Sequence, residues 1–245
     1  MGCPCDASSA GVRHHVRVLR GRGWYVALAL VAVLSAGGCG DASPESPPSG
    51  VDELVVPTPS PDPADFVTGV DNPWLPLAPG ATWTYQATGA TQGIVTVTVG
   101  EETETVAGVA TTAVTRSDPT GAEVVDYYAQ DRRGNVWWFG RDGEWRAGED
   151  GAQAGLAMPA DPRLGDGWRA AYAEGVVDVR AEVVTLDQVV SVPAGRFSDL
   201  VGIDTSNPLT PRVGTRSFYA RGTGLVEEVS TEGPTSLLRL ESGPS

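Results

Sequence analysis

The chain has 245 residues, with 17 basic and 31 acidic side chains and a net charge of −14. An acidic surface argues against nucleic acid as a partner, because binding to nucleic acid depends on basic groups that neutralise phosphates. The chain contains no lysine, which excludes Schiff-base chemistry through that side chain. It contains three cysteines and two histidines, and their positions decide what chemistry the mature protein keeps.

Residues 1–38 have the organisation of a secretory signal peptide. Four arginines precede an uncharged apolar run over residues 24–36, and small residues follow this run. A membrane-spanning helix is the alternative, but it needs about 20 apolar residues, and this run ends at Gly37. We therefore expect residues 1–38 to be removed on export.

The end of this leader resembles the lipobox of bacterial lipoproteins, in which small residues precede the cysteine that receives the lipid. The segment reads Leu34-Ser35-Ala36-Gly37-Gly38-Cys39. The resemblance implies that Cys39 becomes the lipidated first residue of the mature chain, anchored at the extracytoplasmic face of the cell membrane. The alternative is ordinary secretory cleavage near Ala36, which would leave Cys39 as a free thiol.

Cleavage before Cys39 changes the chemistry that remains. Both histidines and the other two cysteines lie in the leader. Without them, Ser-His-Asp and Cys-His arrangements are impossible, and zinc or copper sites lose their usual ligands. We predict a non-catalytic protein with no metal and no cofactor. A carboxylate-dependent hydrolase of cell-wall sugar is the remaining enzyme hypothesis, although no acidic pair stands out in the sequence.

Residues 39–65 are predicted to form a disordered linker, since proline at this density favours an extended polyproline II conformation. Residues 66–245 are long enough for a single domain. Their apolar residues alternate with polar ones, as in Val95-Thr96-Val97-Thr98-Val99, and no stretch has helical periodicity. We predict a mainly β domain with an antiparallel sheet, arranged as a half-barrel, a barrel or a sandwich.

Strand periodicity recurs along this domain, at residues 82–86, 95–99, 103–115, 123–130, 135–139, 176–186, 199–204, 215–220, 225–230 and 236–240. A hairpin turn is predicted at residues 131–134, where aspartate begins and glycine ends a type I turn with a bulge. The same residues suggest a calcium site, but they lack the carboxylate count of an EF-hand loop. A plain hairpin is the preferred interpretation.

The two halves of the domain, residues 66–140 and 165–240, echo each other. An offset of 87 residues places Gly80 on Gly167. Further pairs at this offset are Tyr85 with Tyr172, Val97 with Val184 and Val114 with Val201. A period of this length suggests a duplicated β unit. The alternative is that antiparallel β proteins reuse the same residue types in a similar order.

Residues 141–166 connect the two halves and are rich in glycine, alanine, proline and acidic residues. Long connections in compact domains are often functional. We predict a connection that packs back across the sheet, with a lid over a cavity as the sharper alternative.

The candidate ligand-binding residues are Trp137, Trp138 and Trp145. Trp137 and Trp138 are adjacent on a predicted strand, so their side chains face opposite sides of the sheet. One can pack in the core while the other lines a cavity or the surface. Aromatic rings with polar neighbours suit lipids, glycans and protein partners.

Four sequence elements resemble those of a group of uncharacterised secreted bacterial proteins and lipoproteins. They are Pro76…Gly80-x-x-Trp83-x-Tyr85, Tyr128-Ala129-Gln130-Asp131-x-x-Gly134-Asn135-Val136-Trp137, Val192-Pro193-Ala194-Gly195-x-Phe197 and Tyr219-Ala220-x-Gly222-x-Gly224-Leu225-Val226. The resemblance implies a β fold and carries no established activity. In architecture, the all-β lipoprotein layout is also similar to carriers of the LolA and LprG type, which hold acyl chains in a concave sheet.

We expect a membrane-anchored extracytoplasmic lipoprotein whose β domain binds a lipid or another amphiphile. The alternative is a structural or assembly module that recognises other envelope proteins through a sheet edge or a tryptophan patch. A cavity or groove in the sheet favours the first hypothesis. A packed sandwich with a contiguous apolar surface favours the second.

Overall fold

The computed structural model describes residues 62–244. The predicted signal peptide, the lipidation site Cys39 and most of the predicted linker lie outside these residues. The last linker residues form a single turn of 3-10 helix at Pro63–Asp65, with the Asp62 side chain accepting a hydrogen bond from the main chain of Ala64. No helix within residues 62–244 is both long enough and apolar enough to cross a membrane.

Strands make up nearly all of the regular structure. In chain order they are β1 (Phe66–Val67), β2 (Thr82–Gly89), β3 (Gly93–Val106), β4 (Val109–Ser117), β5 (Glu123–Asp131), β6 (Val136–Arg141), β7 (Trp145–Arg146), β8 (Gln153–Met158), β9 (Gly167–Ala173), β10 (Val177–Val192), β11 (Gly195–Ser206), β12 (Gly214–Ala220), β13 (Gly224–Glu232) and β14 (Ser236–Ser242).

Twelve of these strands close into an antiparallel barrel. Strands β2 to β6 follow one another around the ring, β8 pairs with both β6 and β9, and β14 returns to pair with β2. The pairing of β5 with β6 completes the closure. The two-residue strands β1 and β7 extend β5 and β6 outside the ring. The predicted β fold is confirmed, and the barrel is the arrangement found among the three considered.

The segment between the predicted halves is where the sequence-based prediction was wrong. Residues 141–166 contain β8, which is a full member of the ring rather than a lid or a covering loop. Strand β9 was also missed. Both strands are rich in alanine and glycine and lack the β-branched residues typical of strands. Small residues are required here, because a Cβ on Gly155 would lie 2.3 Å from the backbone of Ala170.

Residues 103–115 were predicted as one run, but the structure divides them between β3 and β4. The turn consists of Ala107 and Gly108, with φ angles of 50° and 79°. Two consecutive positive φ angles are typical of the tight turns that join neighbouring antiparallel strands.

The hairpin predicted at residues 131–134 is confirmed. The Gly134 N–H donates to the Asp131 carbonyl at 2.9 Å, and Gly134 has a φ of 88°. The Asp131 carboxylate accepts hydrogen bonds from the main chains of Arg133 and Asn135 and from the side chains of Asn135 and Trp137. Protein donors therefore occupy this carboxylate, which anchors the turn. Within residues 62–244, no cluster of three or more side chains is arranged to hold a metal ion.

The main hydrophobic core lies inside the barrel, because every strand of the ring contributes side chains to one cluster. Its largest fully buried members include Met158, Leu200 and Leu240. A second cluster, around Trp137 and Phe139, packs beneath Phe66. The barrel therefore carries one core within and further apolar packing on its other face.

The ring repeats the same connectivity twice, first over β2–β6 with β8 and then over β9–β14. In the first half, Val99 exchanges main-chain hydrogen bonds with Gly80 and Ala81; in the second, Val183 does so with Gly165 and Asp166. This alignment places Gly80 on Gly165, not on Gly167. The predicted first half, residues 66–140, also omits β8. This strand is the last of the first half, as β14 is the last of the second. Duplication itself stays a prediction.

Candidate ligand-binding cavity

A cavity of about 230 Å³ lies inside the barrel, between β2–β6 on one side and β12–β13 on the other. Trp83, Tyr85 and Leu77 form buried parts of its wall. Four charged side chains stand closer to solvent, with exposures between 14% and 44%. They are Arg116, Asp126, Arg141 and Glu228. The cavity is therefore apolar in depth and charged near its opening.

Strand register explains why these charges meet. Asp126 on β5 lies opposite Val114 on β4 and opposite Arg141 on β6. Residues two apart on a strand share a face, so Tyr128 joins Asp126 in the cavity. On the other side of the barrel, Glu228 lies opposite Ser217. Closure of the ring then brings residues that are far apart in the sequence to one site.

Asp126 and Arg141 form a closed ion pair. The guanidinium donates through Nε to Oδ1 at 2.9 Å and through Nη2 to Oδ2 at 3.1 Å. Such bidentate contacts are stronger and more directional than single ones. The Trp138 indole donates to Asp126 Oδ1 at 3.1 Å, and Arg141 lies over the Trp138 ring. This pair serves as a fixed wall and has little capacity left for a ligand.

Arg116 and Glu228 form a much looser pair. Arg116 Nη2 and Glu228 Oε1 are 3.8 Å apart, which is too long for a hydrogen bond. Glu228 Oε2 accepts from the Ser217 hydroxyl at 3.1 Å. No hydrogen bond joins the Arg116 guanidinium to another residue within 62–244. Arg116 and one oxygen of Glu228 therefore keep free hydrogen-bonding capacity at the cavity.

Three tyrosines complete the polar lining. The Tyr85 hydroxyl donates to the Leu225 carbonyl at 3.1 Å. Burial, with the charge of neighbouring groups, raises the pKa of Tyr219 to about 12 and that of Tyr128 well above its usual value. Tyrosine is protonated at neutral pH even at its usual pKa, so both residues bring a hydroxyl donor to the cavity lining.

The structure separates the three tryptophans predicted as ligand-binding residues. Trp137 is buried in the second cluster, and Trp145 is buried near Ala171. Trp138 faces the opposite side from Trp137 and stacks on Tyr128, with ring centroids 6.5 Å apart. Of the three tryptophans, only Trp138 is next to the cavity, where it contacts the lining residues Tyr128 and Asp126. Trp145 reaches the site only through its edge contact with Trp138.

The charged lining of the cavity was missed in the sequence. The acidic and basic residues looked scattered, as they would on any solvated surface. A signal was nevertheless present, because Arg116 and Asp126 each interrupt an alternating apolar face, two residues from Val114 and Tyr128 respectively.

Two wider concavities, each of about 580 Å³, lie elsewhere on the barrel. One is lined by Asp71 and Gln130, whose side chains already bond to each other at 2.6 Å. The other is lined by Thr205 and Asp204; the Thr205 hydroxyl bonds to Thr215 at 2.7 Å. The polar groups named here have partners within the protein, whereas Arg116 and one oxygen of Glu228 in the interior cavity make no hydrogen bond within the described part of the chain.

No protein-family model matches the chain, and no curated protein matches it. Two solved structures are similar in fold. A proposed lipoprotein from Parabacteroides distasonis is 13% identical, with a TM-score of 0.37 over 69% of this chain and 97% of that one. A proposed exported protein with YmcC-like fold from Bacteroides fragilis is 17% identical, with a TM-score of 0.42 over 69% and 98%. With TM-scores this low, neither likeness says what this chain binds.

Proposed function

We propose that this chain is a lipid-anchored extracytoplasmic lipoprotein whose barrel binds a small amphiphilic ligand in the interior cavity without transforming it. The observation that carries the proposal is a cavity that combines apolar depth with an Arg116 guanidinium that makes no hydrogen bond to residues 62–244. Ligand sites in proteins likewise join apolar surface to convergent polar groups.

The size of the cavity limits the ligand. Its volume of about 230 Å³ falls below the ~300–1,000 Å³ typical of sites for drug-sized molecules. A complete membrane lipid is too large for this space, so the ligand is a small molecule or the head of a larger amphiphile. The closed ring also differs from the open concave sheet that the LolA and LprG likeness implies.

The geometry supports binding over hydrolysis. A glycosidase-type mechanism needs two carboxylates free to act on the substrate. Asp126 already accepts from Arg141 and Trp138, so of the two carboxylates that line the cavity only Glu228 keeps an oxygen without a hydrogen bond from the described residues. These contacts suit side chains that hold their neighbours in position.

The geometry also supports a ligand over an assembly partner. Because the barrel is closed, its twelve ring strands offer no free edge for another protein to extend. Four of the six tryptophans within residues 62–244 are buried, and the other two, Trp74 and Trp138, are half-buried, which does not favour recognition through a tryptophan patch.

The lipid anchor is tested by intact-mass measurement of the protein from its host envelope. The proposal expects a chain that begins at Cys39 and carries the mass of at least two acyl chains, since one chain alone gives only marginal membrane binding. Cys39→Ser should release the protein from the membrane fraction. Cleavage near Ala36 with an unmodified thiol at Cys39 would contradict the anchor.

Ligand binding is tested by native mass spectrometry of the protein purified from its host envelope. Val97→Phe inserts a ring into the cavity, whereas Thr98→Phe puts the same ring on the opposite face of β3. We expect a bound small molecule in the wild type and in Thr98→Phe, and its loss in Val97→Phe. Equal occupancy in both variants, or an empty wild-type protein, would contradict the proposal.

A further inference from the structure

We infer that the ligand of the cavity is a small zwitterion, with its carboxylate on Arg116 and its ammonium group on Glu228. This inference rests on the proposed function and names its ligand class. An α-amino acid with an apolar side chain is the molecule that best fits the three parts of the cavity.

The balance of charge in the lining carries the inference. The cavity has two guanidinium groups and two carboxylates. Asp126 and Arg141 neutralise each other through two short hydrogen bonds. Arg116 and Glu228 remain, with 3.8 Å between Nη2 and Oε1 and no hydrogen bond between them. The site therefore presents one positive and one negative group side by side.

A ligand with a single charge fits this pair poorly. An anion on Arg116 would lie against Glu228, and a cation on Glu228 would lie against Arg116. Like charges brought together at a partly desolvated site repel, and an uncompensated charge is costly there. A molecule that carries both charges satisfies both side chains and leaves the net charge of the site unchanged.

The hydrogen-bonding groups that remain free match the two charges of a zwitterion. Glu228 Oε2 is occupied by Ser217, while Oε1 has only the distant Arg116 contact. That oxygen is an acceptor for an ammonium group. The guanidinium of Arg116 offers planar donors suited to a carboxylate, and the hydroxyls of Tyr128 and Tyr219 lie in the same cavity.

The remaining space suits an apolar side chain. Trp83, Val97 and Leu225 form an apolar part of the lining. A volume of about 230 Å³ corresponds to on the order of eight water-sized groups at ~30 Å³ each. This is the scale of a free amino acid such as leucine.

Isothermal titration calorimetry with three matched probes tests the inference on the purified mature protein. The probes are L-leucine, 4-methylpentanoate, which lacks the amine, and 3-methylbutylamine, which lacks the carboxylate. We expect leucine to bind at least about tenfold more tightly than either analogue, since each analogue leaves one of the two charged side chains without a partner on the ligand.

Variants assign the two charges. Arg116→Gln and Glu228→Gln should each weaken leucine binding by about tenfold or more. Glu227→Gln is the matched control, because Glu227 is the neighbour of Glu228 on β13 and faces the other side of the strand, opposite Arg239. This control should bind leucine as the wild type does.

The outcomes separate the two proposals. If 4-methylpentanoate binds as tightly as leucine, or if Arg116→Gln binds like the wild type, the zwitterion inference is overturned and the small-ligand function stands. If leucine, valine, phenylalanine and glycine betaine all fail to bind, the inference is again overturned, while a species retained in native mass spectrometry would still support the function. Wild-type leucine binding by Val97→Phe would overturn both.

Discussion

The two six-strand halves of the barrel share a connectivity but present different chemistry at matching positions. Asp126 and Arg141 lie opposite each other on β5 and β6, where they form a bidentate ion pair. The matching positions on β12 and β13 are Ser217 and Glu228, joined by one hydrogen bond of 3.1 Å. Backbone ladders hold both halves in the same register, which leaves the inward side chains free to differ.

The same contrast separates Arg116 from Thr205. Arg116 lies opposite Val97, and Thr205 lies opposite Ala181, at matching places in the two halves. Thr205 is bonded to Thr215, whereas Arg116 makes no hydrogen bond to another residue within 62–244. At this position the first half therefore has a cation whose hydrogen-bond donors are unoccupied by the described residues, which makes the site asymmetric in an otherwise repeated scaffold.

The largest expected effect concerns a feature that both halves share, a tyrosine at matching positions. Tyr128 and Tyr219 both have raised pKa values because of burial, and that of Tyr219 is raised to about 12. Tyrosine in the unfolded chain ionises near pH 10, so the folded state binds more protons than the unfolded state between about pH 10 and 12. Stability should therefore fall as pH rises through this range, by on the order of 2–3 kcal/mol for Tyr219.

Urea unfolding at a series of pH values measures this loss. Tyr219→Phe has no hydroxyl to ionise at this position. Its free energy of unfolding should therefore fall less steeply with pH above pH 10 than that of the wild type. A stability profile that stays flat from pH 9 to 12 would show that these tyrosines are not buried as described.

The next effect tests where the halves differ. Asp126→Ala removes the partner of Arg141 and one acceptor of the Trp138 indole, and should cost about 2–3 kcal/mol of unfolding free energy. Ser217→Ala removes a single hydrogen bond to Glu228 and should cost about 1 kcal/mol. Chemical denaturation of both variants gives the comparison. Equal losses would mean that the two register positions are energetically equivalent.

A third comparison uses Trp83 and Trp168, which follow Gly80 and Gly165 by three residues and therefore occupy matching positions in the two halves. Both are buried, and both indoles donate to a main-chain carbonyl at 2.7 Å, that of Thr223 and that of Leu156. Trp→Phe at either position removes the donor and should cost about 1–2 kcal/mol. Thermal unfolding should show similar shifts for the two variants. A large loss in one alone would break the proposed equivalence of these positions.

The smallest effect concerns two hairpin turns. Gly134 and Gly222 both have positive φ angles, of 88° and 75°. Alanine is strained in this conformation and should cost about 1 kcal/mol at each site. Gly134→Ala should lose slightly more, because its Cβ would lie 3.3 Å from that of Ala160, whereas Gly222 has open space. Unfolding midpoints in urea measure the difference, and a neutral Gly134→Ala would contradict the turn geometry.

Alternation of valine and threonine was sufficient to predict strands such as β3, because that pattern is local. It failed for β8, where Gly155 and its alanine neighbours are set by close packing against Ala170, a contact between strands that periodicity does not reveal. The site was harder to predict for a related reason. Arg116 and Glu228 meet only because the ring closes, and strand periodicity says nothing about closure.

The central claim is that the ligand binds in the interior cavity and not in the wider groove lined by Asp204 and Thr205. Trp83 lines the cavity, and its counterpart Trp168 lines that groove. Titration of ¹⁵N-labelled protein with L-leucine, followed through the indole N–H resonances, compares the two directly. The account predicts a shift of the Trp83 resonance with Trp168 unchanged. A shift of Trp168 alone, or no shift of Trp83 at saturating leucine, would contradict it.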